Sequence, residues 1–243
     1  MIKPYGLLIA IGLLTIYFYC RLNYQKYQLS FPLAEKGLIW AFIFALIGAR
    51  VYHIFSTFSY YSHSPLKIFL VWEGGLGIFG AILGGIAGVG LYSKLKHLSP
   101  LNLLNLTAPP LLLAQAIGRL GNYFNYEGFG PPTNLPWKMF VPIEYRPPQL
   151  AANSYFHPTF FYESALCLVM FLIFILLPSK FQKTHGLSYY LISYGLIRFF
   201  TEFFRLDTWA VGKIHLATFF SLALITTGMF LFFFHPYNRI QTQ

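Results

Sequence analysis

Long apolar runs separated by short polar stretches set the pattern of this chain. A helix that crosses a bilayer needs about 20 apolar residues, with roughly 17 to 25 usual. Segments 5–20, 37–55, 68–92, 101–118, 159–178, 187–204 and 214–235 meet or approach this length. The pattern predicts an all-α integral membrane protein, a single polytopic domain over 1–243 with seven transmembrane helices. The first segment is short and leans on Lys3 and Arg21 to reach the interface. The third carries Gly74, Gly75, Gly77, Gly80, Gly84, Gly85, Gly88 and Gly90, so it is expected to be broken or packed very close to a neighbour. The fourth contains Pro109-Pro110, which should kink it. No linker divides the chain and no internal repeat is visible. The apolar run Tyr5–Cys20 leads into Arg-Leu-Asn-Tyr without a small-x-small cleavage site, and reads as a span rather than a cleaved signal.

Composition agrees with the pattern. The chain is 56% hydrophobic and only 10% charged, against about 25% charged in an average soluble domain. That excludes a soluble globular domain, a disordered tail and a coiled coil. Cys20 and Cys167 both lie in apolar segments, so there is no disulfide framework and no cysteine metal motif.

The charge balance is lopsided, with 17 Lys and Arg against 7 Asp and Glu. The basic residues form no polar stripe that would suit nucleic acid. They lie between the apolar runs. With the N-terminus outside, the inner loops carry Arg21, Lys26, Lys36, Lys94, Lys96, Lys180, Lys183 and Arg239; the outer ones carry Lys3, Lys67, Lys138, Arg146 and Lys213. The excess favours N-out and C-in. The longest loop, 119–158, then faces outward and is expected to fold partly back onto the membrane surface.

Several charges stand where a bilayer penalises them, at about 2.5–3.5 kcal/mol each near the centre. They are Arg50, Glu73, Glu163, Arg198 and Glu202, with Arg119, Glu127 and Arg205 at span ends. Tyr194, Arg198, Glu202 and Arg205 share one helical face by their spacing of four, four and three. Arg198 and Glu202 can pair directly. The pair fits either a structural tie or, with the second arginine leaving the face positive, an anionic ligand such as a phosphate. Gly118-Arg119-Leu120-Gly121-Asn122-Tyr123-Phe124-Asn125-Tyr126-Glu127 fits either an interfacial helix cap or a polar head-group pocket. His157 before Pro158 is an ordinary loop or cap residue on its own, while Glu163 sits one turn inside an apolar run. Glu73, in the Gly-rich segment, either edges a packing seam or holds an arginine. His53, His185, His215 and His235 have no ligand-like spacing, and neither metal nor cofactor is expected.

Together these residues resemble the prolipoprotein diacylglyceryl transferase family of bacterial inner-membrane enzymes. Gly118 to Gly130 is similar to the family signature G-R-x-G-N-x-x-N-x-E-x-x-G, and continues into Pro131-Pro132-Thr133-Asn134-Leu135-Pro136-Trp137. His157-Pro158-Thr159 through Tyr162-Glu163 resembles its H-P-T-x-x-Y-E motif. Tyr194-Gly195-Leu196-Ile197-Arg198-Phe199 with Glu202 and Arg205 resembles Y-G-x-x-R-F-x-x-E-x-x-R, and Gly48-Ala49-Arg50-Val51-Tyr52 an earlier arginine motif. The matches keep the family's order from about residue 48 to 205.

The resemblance implies a multi-pass enzyme of the bacterial cytoplasmic membrane. It would move a diacylglyceryl group from phosphatidylglycerol to the lipobox cysteine in the signal peptide of a preprolipoprotein, making a thioether and releasing glycerol 1-phosphate. It implies catalytic roles for Arg119, Arg198 and Glu202. Lipid binding would fall to Arg119, Asn122, Asn125, Glu127, Tyr194 and Arg205, with support from Arg50, Glu73, His157 and Glu163. Two positions depart from the family. Phe79 stands where many members carry a histidine proposed as a base, and His215 where glutamine is more usual. Thiolate formation then rests on the arginine field, or on His157 or Glu202 as base. A transporter or channel for an anionic solute is the alternative of a different class, since paired intramembrane arginines and a Gly/Pro-interrupted span would suit it.

Overall fold

The computed structural model describes residues 4–71, 74–206, 210–211 and 214–234, with side chains left out at 210, 211, 214 and 215. The described chain is all-α apart from four two-residue strands. Six of its helical stretches are long and apolar enough to cross a membrane: Pro4–Tyr27, Phe31–Ser56, Ile78–Leu95, Pro100–Asn125, Thr159–Leu176 and Leu216–Phe234. This is the architecture of a multi-pass membrane protein. Cα packing divides the chain into two compact units, Cys20–Leu104 in one, Met1–Tyr19 with Asn105–Gln243 in the other.

In the first of these units, α2 (Phe31–Ser56) runs into the short α3 (Phe58–His63), a 3-10 helix at Pro65–Phe69, and then α4 (Ile78–Leu95). The Gly-rich segment is therefore α-helical only from Ile78, not from 68 as the hydropathy predicts. Gly74 and Gly75 adopt φ of +94° and +74°, a left-handed backbone that stops a helix. From Ile78 on, small residues let α2 and α4 touch backbone to backbone. A Cβ at Gly80 would overlap the Gly48 carbonyl oxygen, and one at Gly84 the Phe44 carbonyl oxygen.

The other unit is built from α6 (Pro109–Leu120), α8 (Thr159–Leu176), α9 (Ser179–Glu202) and α10 (Leu216–Phe234), with most of α1 (Pro4–Asn23). The fourth apolar segment breaks at Ala108, between α5 (Pro100–Thr107) and α6, where Pro109 and Pro110 follow. Gly12 of α1 approaches Ala114 of α6 so closely that a Cβ there would lie 3.1 Å from its carbonyl oxygen. Ser164 on α8 donates to the Ala116 carbonyl on α6 at 2.7 Å.

Helix α9 begins eight residues before the predicted start at 187, and it falls outside the six apolar stretches because polar residues run along its whole length, from Lys180 and Lys183 to Arg198 and Glu202. It bends at His185, whose φ and ψ are −120° and 15°. Asn105 satisfies the backbone exposed by the bend. Its amide nitrogen donates to the carbonyls of Lys183 (2.9 Å) and Thr184 (3.2 Å), and its oxygen accepts from Leu187 N (2.9 Å).

The stretch 119–158 is folded rather than a plain loop. It holds the one-turn α7 (Asn122–Asn125) and an antiparallel pair of β1 (Met139–Phe140) with β2 (Tyr155–Phe156), Met139 opposite Phe156. Phe129, Met139, Val141 and Phe156 form a small buried core with Phe160 of α8. Arg146 ties it internally, donating to the carbonyls of Val141 (2.8 Å) and Ala151 (2.9 Å). A second pair, β3 (Ala210–Val211) with β4 (Ile214–His215), precedes α10.

Candidate active site

Three helices meet around one carboxylate. Glu163 lies one turn inside the N-terminus of α8 and is 1% exposed. Its Oε1 is 2.8 Å from Arg119 Nη2, and its Oε2 is 3.2 Å from Arg198 Nη1 and 3.9 Å from Arg205 Nη1. Arg119 ends α6, Arg198 belongs to the last two turns of α9, and Arg205 follows α9. Glu202, one turn after Arg198, accepts from Arg198 Nη2 at 2.9 Å. Tyr194 donates to Glu163 Oε1 and accepts from Arg119 Nη2, both at 3.4 Å.

Counted as ions, three guanidiniums face two carboxylates, which leaves the cluster positive by one charge. Buried charges of one sign are tolerated only when paired and hydrogen-bonded. Glu163 supplies that pairing from the middle, so the arginines are held apart and oriented at once. Their side chains keep 13–26% of their surface, the carboxylates 1–3%. The acids are thus committed to the protein, while the cations retain an open side.

The signature stretch wraps the same cluster. Gly128 has φ of +67°, and a Cβ there would sit 3.0 Å from Asn122 Nδ2 and 3.9 Å from Arg205 Nη2. The buried Asn122 amide and the Arg205 guanidinium thus flank a position whose backbone favours glycine. At Gly130 a Cβ would overlap the Phe204 carbonyl, which also accepts from Thr159 Oγ1 at 2.9 Å. Asn125 is half-buried and Glu127 exposed. Among the described residues, no hydrogen bond or ion pair joins either side chain to the cluster. Glu127 instead lines a cavity of about 320 Å³ with Tyr126, Tyr145, Arg146 and Leu206.

His157 engages a different group. Its Nδ1 lies 3.0 Å from the Tyr162 hydroxyl, which accepts from Trp137 Nε1 at 2.8 Å. Phe79 packs its ring against Tyr52, with centroids 5.8 Å apart. Glu73 lies outside the described residues.

Arg50, in the unit Cys20–Leu104, spends its whole guanidinium on backbone. Nε donates to Ile68 O (2.9 Å), Nη1 to Gly74 O (2.6 Å) and Gly75 O (3.1 Å), and Nη2 to Leu70 O (3.3 Å) and Lys67 O. It also sits 5.2 Å from the Tyr61 ring centroid. All five N–H donors are used on the segment 67–75, so this arginine holds the turn that leads into α4.

Sequence reading missed two residues that extend the cluster. Gln115 Nε2 donates to the Tyr190 hydroxyl at 2.9 Å, one turn before Arg119 and Tyr194 on their helices. The available signal was spacing: Tyr190 precedes Tyr194 by four and lies on the same face.

Comparisons with known proteins agree over nearly the whole chain. The family model described as prolipoprotein diacylglyceryl transferase matches residues 1–234. The phosphatidylglycerol–prolipoprotein diacylglyceryl transferase of Trichormus variabilis is 41% identical over 94% of this chain and 83% of that protein. Its counterpart in Fervidobacterium nodosum is 39% identical over 93% and 79%. That of Thermotoga maritima is 39% identical over 93% and 78%.

Proposed function

The chain belongs to the prolipoprotein diacylglyceryl transferase family, and we propose that its arginine–glutamate cluster is where the lipid phosphate binds and departs. The activity is phosphatidylglycerol–prolipoprotein diacylglyceryl transfer, a step of lipoprotein maturation. The acceptor in this reading is the lipobox cysteine of a preprolipoprotein signal peptide. Its sulfur attacks the glyceryl carbon that carries the phosphate ester. A C–S bond forms, the C–O bond breaks, and the electron pair leaves on glycerol 1-phosphate. The thiol proton passes to water before or during attack, and the phosphate leaves as a monoester dianion.

Charge therefore grows on the phosphate oxygens as the bond breaks. Preorganised cations aimed at that charge lower the barrier without reorganising in the reaction step. Arg119 and Arg198 are the catalytic cations in this proposal. Arg205 and Asn122 hold the phosphate from the Gly128 side. Glu163 and Glu202 fix the guanidiniums. The same positive field favours the thiolate, the nucleophilic form of cysteine. The observation that carries the reading is the Glu163 centre, with three arginines on one carboxylate, because a structural ion pair needs only one.

For topology, we infer seven spans with α9 as the most polar one, the N-terminus outside, and residence in the bacterial cytoplasmic membrane. At 24 residues, α9 is about 36 Å long, more than the hydrocarbon thickness of about 30 Å. Its polar residues are needed at the site.

The test combines purified protein, phosphatidylglycerol and a synthetic lipobox peptide, and follows the mass of the peptide. The expected product carries one diacylglyceryl group, and Arg119→Ala is expected to form none within the wild-type reaction time. Full product from Arg119→Ala would remove the cluster from the mechanism.

A further inference from the structure

The cluster continues along α6 and α9, away from the stretch 119–158, into residues that the phosphate chemistry leaves unused. Gln115 precedes Arg119 by one turn, and Tyr190 precedes Tyr194 by one turn. The two tyrosine rings lie parallel within 3°, their centroids 5.9 Å apart. Gln115 Nε2 donates to the Tyr190 hydroxyl, while the Gln115 amide oxygen is buried with no hydrogen-bond partner. The amide can be turned over, so that Tyr190 donates to Gln115 oxygen and the NH₂ takes the unmatched place. Either way the pair keeps an unused N–H or O–H donor among apolar helices. A donor left unmet in such a setting is costly unless a ligand meets it.

We propose that the Gln115–Tyr190 pair determines donor specificity by hydrogen-bonding an ester carbonyl of the diacylglyceryl group. The assignment rests on the phosphate reading of Arg119 and Arg198. Four helical residues advance about 6 Å, which matches the separation that a glycerol unit puts between a phosphate and its ester carbonyls. A phospholipid whose phosphate sits on the arginines thus brings a carbonyl acceptor to this level and its acyl chains beyond it. An ester carbonyl is a strong acceptor. The ether oxygen of a dialkyl lipid has no carbonyl to offer.

The experiment compares diacyl and dialkyl-ether phosphatidylglycerol as donors to a lipobox peptide, reading kcat/KM for wild type, Tyr190→Phe and Gln115→Leu. Wild type is expected to favour the diester by about five- to tenfold, the worth of one hydrogen bond. Tyr190→Phe is expected to lower the diester value by that factor and leave the ether value unchanged, so the preference disappears. Gln115→Leu, which removes the support of the phenol, is expected to shrink the preference in the same direction. A structural tie between helices would lower both donors together. An unchanged diester-to-ether ratio in both variants, or no preference in wild type, overturns the proposal. Absence of transfer from either donor in wild type would instead strike the phosphate reading on which it rests.

Discussion

Glu163 can be removed in two ways that ask different questions. Glu163→Ala takes a 1%-exposed carboxylate away from three guanidiniums. Breaking a buried ion pair from one side costs about 3–5 kcal/mol, so a marked fall in the midpoint of thermal unfolding in detergent is expected. Glu163→Gln keeps the shape and can still accept from one arginine, but it turns an NH₂ toward another. Its stability loss is expected to be smaller than that of the alanine variant. Its transfer rate is expected to fall about 10²-fold, the usual result of misplacing a catalytic group by an ångström. A glutamine variant at the wild-type rate would show that orientation by Glu163 is not needed. At this scale, the Arg198–Glu202 pair was legible, because a spacing of four puts both on one face. The Glu163 centre was not, because its partners come from α6, α9 and the residues after α9. Arg50 was legible as a misplaced charge, but its destination was not. Backbone carbonyls carry no sequence identity, so nothing announced that five N–H donors would go to segment 67–75.

Among the elements, hydropathy located the apolar helices well and their ends poorly. Helix α4 starts at Ile78 because Gly74 and Gly75 turn left-handed, and the apolar run Ile68–Val71 before them is short 3-10 helix rather than α-helix. Helix α9 starts at Ser179, earlier than its apolar part, and Asn105 from α5 closes the bend at His185. A hydropathy window sees neither, since one depends on backbone dihedrals and the other on a partner distant in sequence. The Gly-rich stretch allowed two outcomes, a break or close packing, and both occur, the break before Ile78 and the packing after it. The close α2–α4 crossing makes Gly80→Ala costly, since the added Cβ meets the Gly48 carbonyl oxygen. Overpacking of this kind is worth about 1–3 kcal/mol. Gly90→Ala, with nothing within 4 Å of the added Cβ, serves as the control. Thermal unfolding in detergent is expected to place Gly80→Ala below wild type and Gly90→Ala level with it or above. Equal midpoints for the two variants would contradict the crossing.

For the whole molecule, the excess of 17 basic over 7 acidic residues divides into different duties. Most Lys and Arg flank apolar runs, where a bilayer sorts them. Arg50 stitches a turn. Arg119, Arg198 and Arg205 gather on Glu163, and the positive balance of that group of five is the ground for the proposed phosphate site. Motif order made the family legible in sequence, whereas the folded stretch 119–158, with its own core and strand pair, looked like a loop because its strands are two residues long. The central claim is that the arginines act on the departing phosphate and not only on binding. Single-turnover transfer at saturating phosphatidylglycerol, followed by peptide mass in wild type and Arg198→Ala, tests this most directly. The rate constant is expected to fall about 10²–10³-fold, the usual loss of one preorganised charge donor, with peptide binding unchanged. A wild-type rate constant in Arg198→Ala at saturating lipid would contradict the account.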